Sequence, residues 1–389
     1  MNTSALPELS GVERAALAAA ALGVAASIAG AWIDPAQFFR SYLVAFLYVA
    51  GLSMGCLGIL MIYHLTGGSW GVAIRRVLEA GAGAFPLVAL LFVPLLFGLP
   101  HLYAWTSQAV MAASEALRMK TAYLNVPAFV ARAAVYFAAW IALSFLLLRW
   151  SKGQDEQADP RLEVRMRKLS GGGIVLFGFT ATFAAFDWVM SLDPTWSSTI
   201  FGLLFIGEQG LGGMAFAILV AYFLSRRAEY ARALEPTVLN DLGNLLLAFV
   251  MVWAYLSFSQ ILIIWAGNLP EEIPWFLRRI AGGWNLIAIG LAVFYFAVPF
   301  LVLLGRGNKR QHRRLAAVAA GILVVRAVDL YYLAAPEFHP AGITAHWLDA
   351  ATVVGLGGIW MTAVLRRLAA RPLLAPHDPV LPGTLARTD

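Results

Sequence analysis

Residues 41–63, SYLVAFLYVAGLSMGCLGILMIY, contain no charged side chain and are long enough to cross a bilayer as one helix. Similar apolar stretches recur along the 389-residue chain, in which 60% of the side chains are apolar and the mean hydropathy is +0.74. Only 13% of the residues are charged, and the short loops leave no room for a soluble domain of ordinary size. The composition therefore predicts an all-α integral membrane protein with about ten transmembrane helices.

The loops on the two sides of the predicted helices differ in charge. Of the 28 Lys and Arg residues, 21 lie on the side of both termini and only five on the opposite side. Because cytoplasmic loops carry the excess of Lys and Arg, this asymmetry predicts N-in and C-in topology, and it argues against a nucleic-acid partner. The spans are expected near residues 11–33, 38–63, 79–99, 125–150, 171–192, 197–224, 241–266, 280–304, 313–335 and 345–368.

Three connecting segments stand out by composition. SKGQDEQADPRLEVRMRK (151–168) has mixed charges and no apolar period, which is typical of a solvated cytoplasmic linker. HLYAWTSQAVMAASEALRMK (101–120) alternates at helical spacing, so we expect either a helix lying in the outer interface or a plain loop with an aromatic belt. GNLPEEIPWFLRR (267–279) is interpreted as an outer docking surface.

A weak internal repeat relates YVAGLSMGCLG, from Tyr48, to FIGEQGLGGMA, from Phe205. It predicts two four-helix bundles with two flanking helices, and it pairs Glu79 with Asp241 by position. The alternative is that Gly-rich helices align by chance, because small residues are favoured wherever membrane helices pack closely. The expected units are an N-terminal helix (1–37), two bundles (38–192 and 193–335), a last transmembrane helix (336–368) and a cytoplasmic tail (369–389).

The cysteine and histidine content argues against a cofactor bound by this chain. Cys56 is the only cysteine, so no disulfide, iron–sulfur cluster or CxxCH haem attachment is expected. The six histidines are spread over both membrane faces and the polar segments, which does not suit a haem between facing helices. We therefore expect no haem and no metal.

Ionisable residues inside the predicted spans are costly and are functional candidates by default. His64, Glu79 and Asp241 lie near the cytoplasmic face. Glu208 is about 17 Å into its predicted span, so we expect it to be neutral or to face a polar cavity and to carry protons. The structural alternative is that Glu208 only bonds Ser257, Ser259 or Gln260 of another helix.

The remaining candidates extend toward the outer half. Arg326 and Asp329 are three residues apart on one helix and can pair, and a buried ion pair that fixes the helix register is the favoured interpretation. Asp187, Arg132 and Asp349 also lie toward the outer half, and the repeat sets Asp187 at the depth of Asp329. Together the ionisable residues resemble an incomplete proton wire. Three loop acids are expected to be only solvated: Asp34, Asp193 and Glu337.

Several strings between Tyr42 and Trp284 resemble a known family. DWVMSLDP (187–194) and FSQILIIWAGNLPEE (258–272) are the most specific of them. They are similar to the F subunit of bacterial alternative complex III, which is related to the membrane subunit of polysulfide reductase. Thr195 stands where that family leads us to expect His, and Asn244 where we expect Lys. If that His or Lys takes part in proton transfer in the family, this chain handles protons differently or the residue is not essential.

The resemblance implies a haem-free, non-redox subunit of a quinol:electron-acceptor oxidoreductase in the bacterial inner membrane. Such a subunit acts as a scaffold and candidate proton path, without a catalytic centre of its own. Its implied partners are a homologous C subunit that uses quinol or menaquinol, an iron–sulfur subunit, c-type cytochrome subunits carrying haem c, a terminal oxidase and lipids.

Two alternatives stay open at the level of sequence. One is the quinone-binding membrane subunit of a polysulfide-reductase-like enzyme. The other is a secondary transporter, whose usual mark is a pair of broken helices at the midplane. Pro86 and Pro94 interrupt only the third predicted span, with no matching break in the seventh, which weighs against a transporter.

Overall fold

The computed structural model describes residues 7–270 and 272–381, and all regular secondary structure within these residues is helical. The α-helices are α1 Pro7–Ile33, α2 Pro35–Thr66, α3 Ser69–Ala82, α4 Phe85–Leu102, α5 Gln108–Ala112, α6 Glu115–Lys120, α7 Val126–Glu156, α8 Pro160–Trp188, α9 Phe201–Leu224, α10 Ala228–Ala231, α11 Pro236–Gly267, α12 Ile273–Ile280, α13 Trp284–Leu291, α14 Val298–Leu304, α15 Arg306–Lys309, α16 His312–Phe338 and α17 Trp347–Ala369. Short 3₁₀ helices occupy Ala104–Thr106 and Met190–Leu192, and a π-helix occupies Ala292–Ala297.

Ten segments of the described chain are long and apolar enough to cross a membrane, as the sequence predicts. Helices α3 and α4 together form the third span, and α13, the π-helix and α14 form the eighth. These ten helices indicate a multi-pass membrane protein. We call the end at which α1 begins the near end and the opposite end the far end.

Side-chain caps and proline start three of the long helices. Asp34, Asn125 and Asp159 each accept a hydrogen bond from a backbone N–H two or three residues later, and each is followed within two residues by a proline. Proline is tolerated in the first turn because its missing N–H would have no intrahelical partner there. The capping role also corrects the prediction that Asp34 is only solvated.

Helices α2 and α9 are the most buried of the spans and pack against each other. Glycine makes their close approach possible: a Cβ atom on Gly55 would lie 1.9 Å from the backbone oxygen of Gln209. Gly213 in turn faces the backbone of Gly55. This contact places the polar residues of α9 in the interior of the protein.

The other helices surround this pair. Helix α2 also packs against α4 and α8, and α7 packs against α4 and α8. Helix α9 packs against α11 and α16, and α11 packs against α14. Helices α1 and α17 lie side by side through Gly23 and Gly355, and α17 contacts α2. The division into two four-helix bundles stays a prediction.

Two segments predicted to connect the spans contain helices. Residues 103–120 form a 3₁₀ helix and the short helices α5 and α6, which agrees with the helical alternative of the prediction. The aromatic side chains turn inward, where Tyr103 donates to the Trp188 carbonyl and Trp105 donates to Ser191. The predicted linker 151–168 is almost entirely helical, and the only interruption lies at 157–159. Its polar residues Ser151 and Gln154 are buried rather than solvated.

Candidate functional site

The guanidinium group of Arg326, at the middle of α16, binds helix α9. Nη1 donates to the Glu208 backbone carbonyl at 2.6 Å, and Nη2 donates to Gln209 Oε1 at 2.5 Å. The Gln209 amide nitrogen in turn donates to the Phe205 carbonyl at 2.9 Å. These bonds hold an almost completely buried cation and fix α16 against α9, while the Arg326 Nε atom has no hydrogen-bond partner among the described residues.

Glycine provides the space for this guanidinium group. A Cβ atom on Gly51 of α2 would lie 2.1 Å from Arg326 Nη2, and one on Gly212 of α9 would lie 2.7 Å from Nη1. Tyr48 of α2 covers the group with its ring, whose centroid is 5.7 Å from Arg326 Cζ. Gly51 and Gly212 thus make room for a buried cation, whereas Gly55 and Gly213 allow close packing of α2 against α9.

The Glu208 carboxyl group shares this environment but is not held in the same way. Its Oε2 atom is buried and has no hydrogen-bond partner among the described residues. Asp329, one turn along α16 from Arg326, is buried nearby, close enough for its charge to interact with those of Glu208 and Arg326. We call the set Glu208, Gln209, Tyr295, Arg326 and Asp329 the mid-depth cluster.

Tyr295 belongs to this cluster because of an irregularity in the eighth span. It lies in the π-helix Ala292–Ala297, which the sequence does not predict, and its buried hydroxyl has no hydrogen-bond partner among the described residues. Its ring packs edge-on against Trp253 of α11, with centroids 4.8 Å apart. Single π-helical turns inside α-helices are frequent at functional sites, because they redirect side chains.

The charges of the mid-depth cluster do not balance. Glu208 and Asp329 contribute two carboxyl groups, and Arg326 is the cation that lies among them in the described structure. An unpaired ionised carboxylate inside an apolar bundle is very costly, so binding one proton between the two acids is the simplest way to neutralise the cluster. The arrangement is chemically suited to accepting and releasing one proton.

Two contacts predicted for these residues are absent from the described structure: the ion pair of Arg326 with Asp329 and the hydrogen bond of Glu208 with Gln260. Arg326 and Asp329 form no ion pair within 4.0 Å in the described chain, because the guanidinium group is turned toward the α9 backbone instead. Gln260, proposed as a partner of Glu208, accepts a hydrogen bond from Ser198 at 2.7 Å. Helix α9 begins at Phe201, so Glu208 lies about 10 Å from the start of the helix rather than the expected distance of about 17 Å, and its backbone contacts Arg326 at the middle of α16.

Glu79 lies in a different environment, at the near end. Its carboxylate accepts hydrogen bonds from Arg75 at 2.8 Å, from Arg76 at 2.7 Å and from Arg371 at 2.9 Å, and the Ser151 hydroxyl donates to it at 2.6 Å. With so many fixed donors Glu79 is a poor proton carrier. We call the following residues the near-end ion cluster: Arg75, Arg76, Glu79, Asp155, Arg371 and Asp378.

The near-end ion cluster holds the C-terminal segment against the helices. Arg75 donates to Asp378 at 2.7 Å, and the Tyr63 hydroxyl donates to the same oxygen at 2.6 Å. Arg371 binds Asp155 at 2.5 Å, and Arg76 binds Asp155 as well. Residues predicted to be a tail and a linker therefore form a buried ionic network.

His64 and Asp241, the other candidates near this end, are not joined to the mid-depth cluster by any hydrogen bond in the described residues. His64 packs beside Tyr63, and its buried Nε2 atom has no hydrogen-bond partner within residues 7–270 and 272–381. Asp241 is exposed on α11. The repeat pairs Asp241 with Glu79, but one side chain is solvent-accessible and the other is fixed by three arginines.

Asp187 forms a strong ion pair in the far half. Arg132 binds both of its carboxylate oxygens, at 2.9 and 2.8 Å, and the Tyr136 hydroxyl donates at 2.7 Å. Arg132 also lies 3.7 Å from the centroid of the Tyr123 ring. Burial and the Asp187 carboxylate raise the pKa of Tyr123. Asp187 and Arg132 thus tie α7 to α8.

Asp349 has a capping role at the start of α17. Its carboxylate accepts from the His346 backbone N–H at 2.9 Å, while the His346 side chain accepts from the Leu348 N–H. The Ser41 hydroxyl donates to Asp349 at 2.5 Å, which joins α17 to α2. These bonds explain its position without a proton-transfer role.

A far-end cluster was missed by sequence reasoning. Arg278 of α12 pairs with Asp193 and with Glu337, and Arg279 donates to Glu337 at 2.9 Å, so neither acid is merely solvated. The Trp275 ring stacks on Trp196 at 4.2 Å. Burial lowers the pKa of Arg279, and Glu337 opposes that effect. The adjacent Arg278 and Arg279 in the segment 267–279 were the sequence feature that could have indicated ion pairs with loop acids.

The two departures from the family pattern have defined surroundings. Thr195 donates through its hydroxyl and its backbone N–H to Asp193 Oδ1, closing a local turn. Asn244 accepts a hydrogen bond of 2.6 Å from Lys309, whose aliphatic stem packs on Gly243. An ammonium group therefore reaches the position at which Asn244 replaces the expected Lys, but it comes from another helix.

The described residues offer no evident metal site. Within the described residues no group of three or more His, Cys, Asp or Glu side chains is placed to hold a metal ion, and Cys56 is a buried free thiol. No protein-family model matches the sequence, and no curated protein matches it.

Proposed function

We propose that this protein is a haem-free membrane subunit of a quinol:electron-acceptor oxidoreductase of the alternative complex III type, serving as a scaffold and a proton path. The resemblance of DWVMSLDP and FSQILIIWAGNLPEE supports the family assignment. The ten apolar helices agree with a subunit embedded in the bacterial inner membrane. The proposed topology has both termini in the cytoplasm, and the proposed fold has two four-helix bundles with α1 and α17 flanking them.

One observation carries the proton-path proposal: the buried Glu208 carboxyl group, beside Asp329 and Arg326, has an oxygen without a hydrogen-bond partner among the residues that the structure describes. A residue kept only for packing would satisfy its polar atoms, since each unpaired buried polar group costs about 1 to 3 kcal/mol. The pair Glu208 and Asp329 would hold one proton, and Arg326 would compensate the remaining negative charge. Tyr295 supplies a hydroxyl that can relay a proton from the π-helix.

The other acids have a smaller part in this proposal than in the wire predicted from sequence. Glu79, Asp187 and Asp349 are each fixed by several donors, so we assign them to helix packing and capping. His64, whose buried Nε2 has no partner in the described chain, is the proposed proton entry from the near end. Protons would cross the remaining distance through water, because no continuous chain of side-chain hydrogen bonds joins His64 to Glu208 in the described residues.

Affinity purification tests the assignment to a complex. The full chain carries a tag at its C-terminus, the membrane is solubilised in mild detergent, and the co-purifying subunits are identified by mass spectrometry. We expect iron–sulfur and c-type cytochrome subunits in fixed ratio together with a homologous membrane subunit. A molybdopterin-containing partner without cytochromes would support the polysulfide-reductase-like alternative, and a chain that purifies alone would support a transporter.

A further inference from the structure

A groove at the near end is lined on three sides by α1, α4 and α17. Its volume is about 550 Å³, and its walls are mainly aliphatic, with Leu17, Leu87, Ile359 and Ala363 on them. Leu17 is also exposed on the outer surface of α1. The groove therefore continues the apolar surface that the ten spans present to their surroundings.

Two arginines stand at the end of this groove. Arg366 and Arg367 belong to the last turn of α17, where the apolar span ends. Arg366 pairs with Glu13 of α1 at 2.7 Å, so its charge is compensated. Arg367 is exposed and has no ion-pair or hydrogen-bond partner among residues 7–270 and 272–381, and its Nη1 atom lies over Gly83. One uncompensated cation thus remains at the end of the aliphatic walls.

We propose that the groove binds an anionic phospholipid, with its phosphate on Arg367 and one acyl chain between Leu17, Leu87 and Ile359. The geometry matches the amphipathic form of a lipid, because Ile359 lies eight residues before Arg367, or about 12 Å along the helix. The same groove can therefore contact both the acyl chain and the phosphate of one lipid. Basic pockets between helices at the membrane surface recognise anionic headgroups by charge. This inference depends on the membrane location and not on the proton role of Glu208.

Native mass spectrometry of the purified full chain tests the site. The two probes are dioleoyl phosphatidylglycerol and dioleoyl phosphatidylethanolamine, which have identical acyl chains but differ in headgroup charge. We expect tighter binding of phosphatidylglycerol, and we expect Arg367→Gln to weaken it about fivefold, the effect of one cation near a lipid surface. Arg367→Lys should retain the preference, and Ala363→Phe should weaken both lipids by filling the groove.

Arg165→Gln is the matched control, because Arg165 is an exposed arginine of α8 at the same end and does not line the groove. It should leave both affinities unchanged. Equal binding of the two lipids by the unmodified chain would overturn the proposal, as would an unchanged preference in Arg367→Gln. Competition by glycerol 3-phosphate at equal concentration would show a site for soluble anions instead of a lipid.

Discussion

Arg326 contacts Glu208 through the main chain: its Nη1 atom donates to the Glu208 carbonyl at 2.6 Å, while the Glu208 carboxyl oxygen Oε2 has no hydrogen-bond partner in the described part of the chain. The cation is therefore fixed without consuming the hydrogen-bonding capacity of the acid. A carboxyl group that stays unpaired beside a second acid and a fixed cation can gain or lose a proton without rearranging the helices. This relationship is the basis of the proton-site proposal.

Replacing Arg326 should unbalance the cluster. Arg326→Gln leaves two buried acids without a cation, and breaking a buried charge arrangement in this way costs about 3 to 5 kcal/mol. We expect a large drop in thermal stability of the purified protein, measured by the loss of folded material on heating. Adding Asp329→Asn should restore much of that loss, because it leaves a single acid, which one proton neutralises. An Arg326→Gln protein as stable as the wild type would show that the acids are already neutral.

Close packing of α2 and α9 should depend on Gly55. A Cβ atom there would lie 1.9 Å from the Gln209 backbone oxygen, which cannot move without shifting α9. We expect Gly55→Ala to lower the stability by about 1 to 3 kcal/mol, the usual cost of overpacking. Gly178→Ala is the control, because nothing lies within 4 Å of the added atom. Equal melting temperatures for the two variants would contradict the proposed helix contact.

The C-terminal segment should contribute to stability through the near-end ion cluster. Asp378→Asn removes the carboxylate that Arg75 and Tyr63 both contact, and we expect a loss of about 1.5 to 3 kcal/mol, as for other buried charged hydrogen bonds. Asp241→Asn makes the same chemical change at an exposed position and should have little effect. If both variants melt at the same temperature as the wild type, the segment does not depend on this network.

Topology is tested at the short break between α7 and α8. A reporter that works only in the cytoplasm should be active when it is inserted within residues 157–159, because 21 of the 28 basic residues lie on the side of this loop. Fusions at the far-end loop near Gly342 should give the opposite result. Activity of a periplasm-specific reporter at residues 157–159 would contradict the predicted topology and indicate the opposite orientation.

The spans could be predicted from sequence because length and hydropathy alone determine whether a helix can cross a bilayer. The near-end ion cluster could not, since Arg75 and Asp378 are far apart in the chain and nothing local reveals that they meet. Asp193 and Glu337 look like solvated loop acids until α12 places Arg278 between them. The partners of a polar residue depend on tertiary packing, which hydropathy does not encode.

The mid-depth cluster was predicted in part. The burial of Glu208 follows from its place in an apolar stretch, and the structure places it near Asp329. The expected ion pair of Arg326 with Asp329 is absent from the described residues because the glycines at 51 and 212 open a space that directs the guanidinium group toward α9. The π-helix that carries Tyr295 has no sequence signal in a uniformly apolar span.

The most direct test of the account is the number of protons translocated per electron by the assembled complex in sealed vesicles, with Glu208→Gln compared with the wild type. Glutamine keeps the volume and hydrogen bonding of Glu208 but removes its transferable proton. Glu115→Gln, at an exposed acid of α6, is the control. We expect Glu208→Gln to assemble, to oxidise quinol normally in detergent and to translocate fewer protons per electron. An unchanged proton yield, together with failure of Glu208→Leu to assemble, would make Glu208 a structural residue and contradict the proposed proton path.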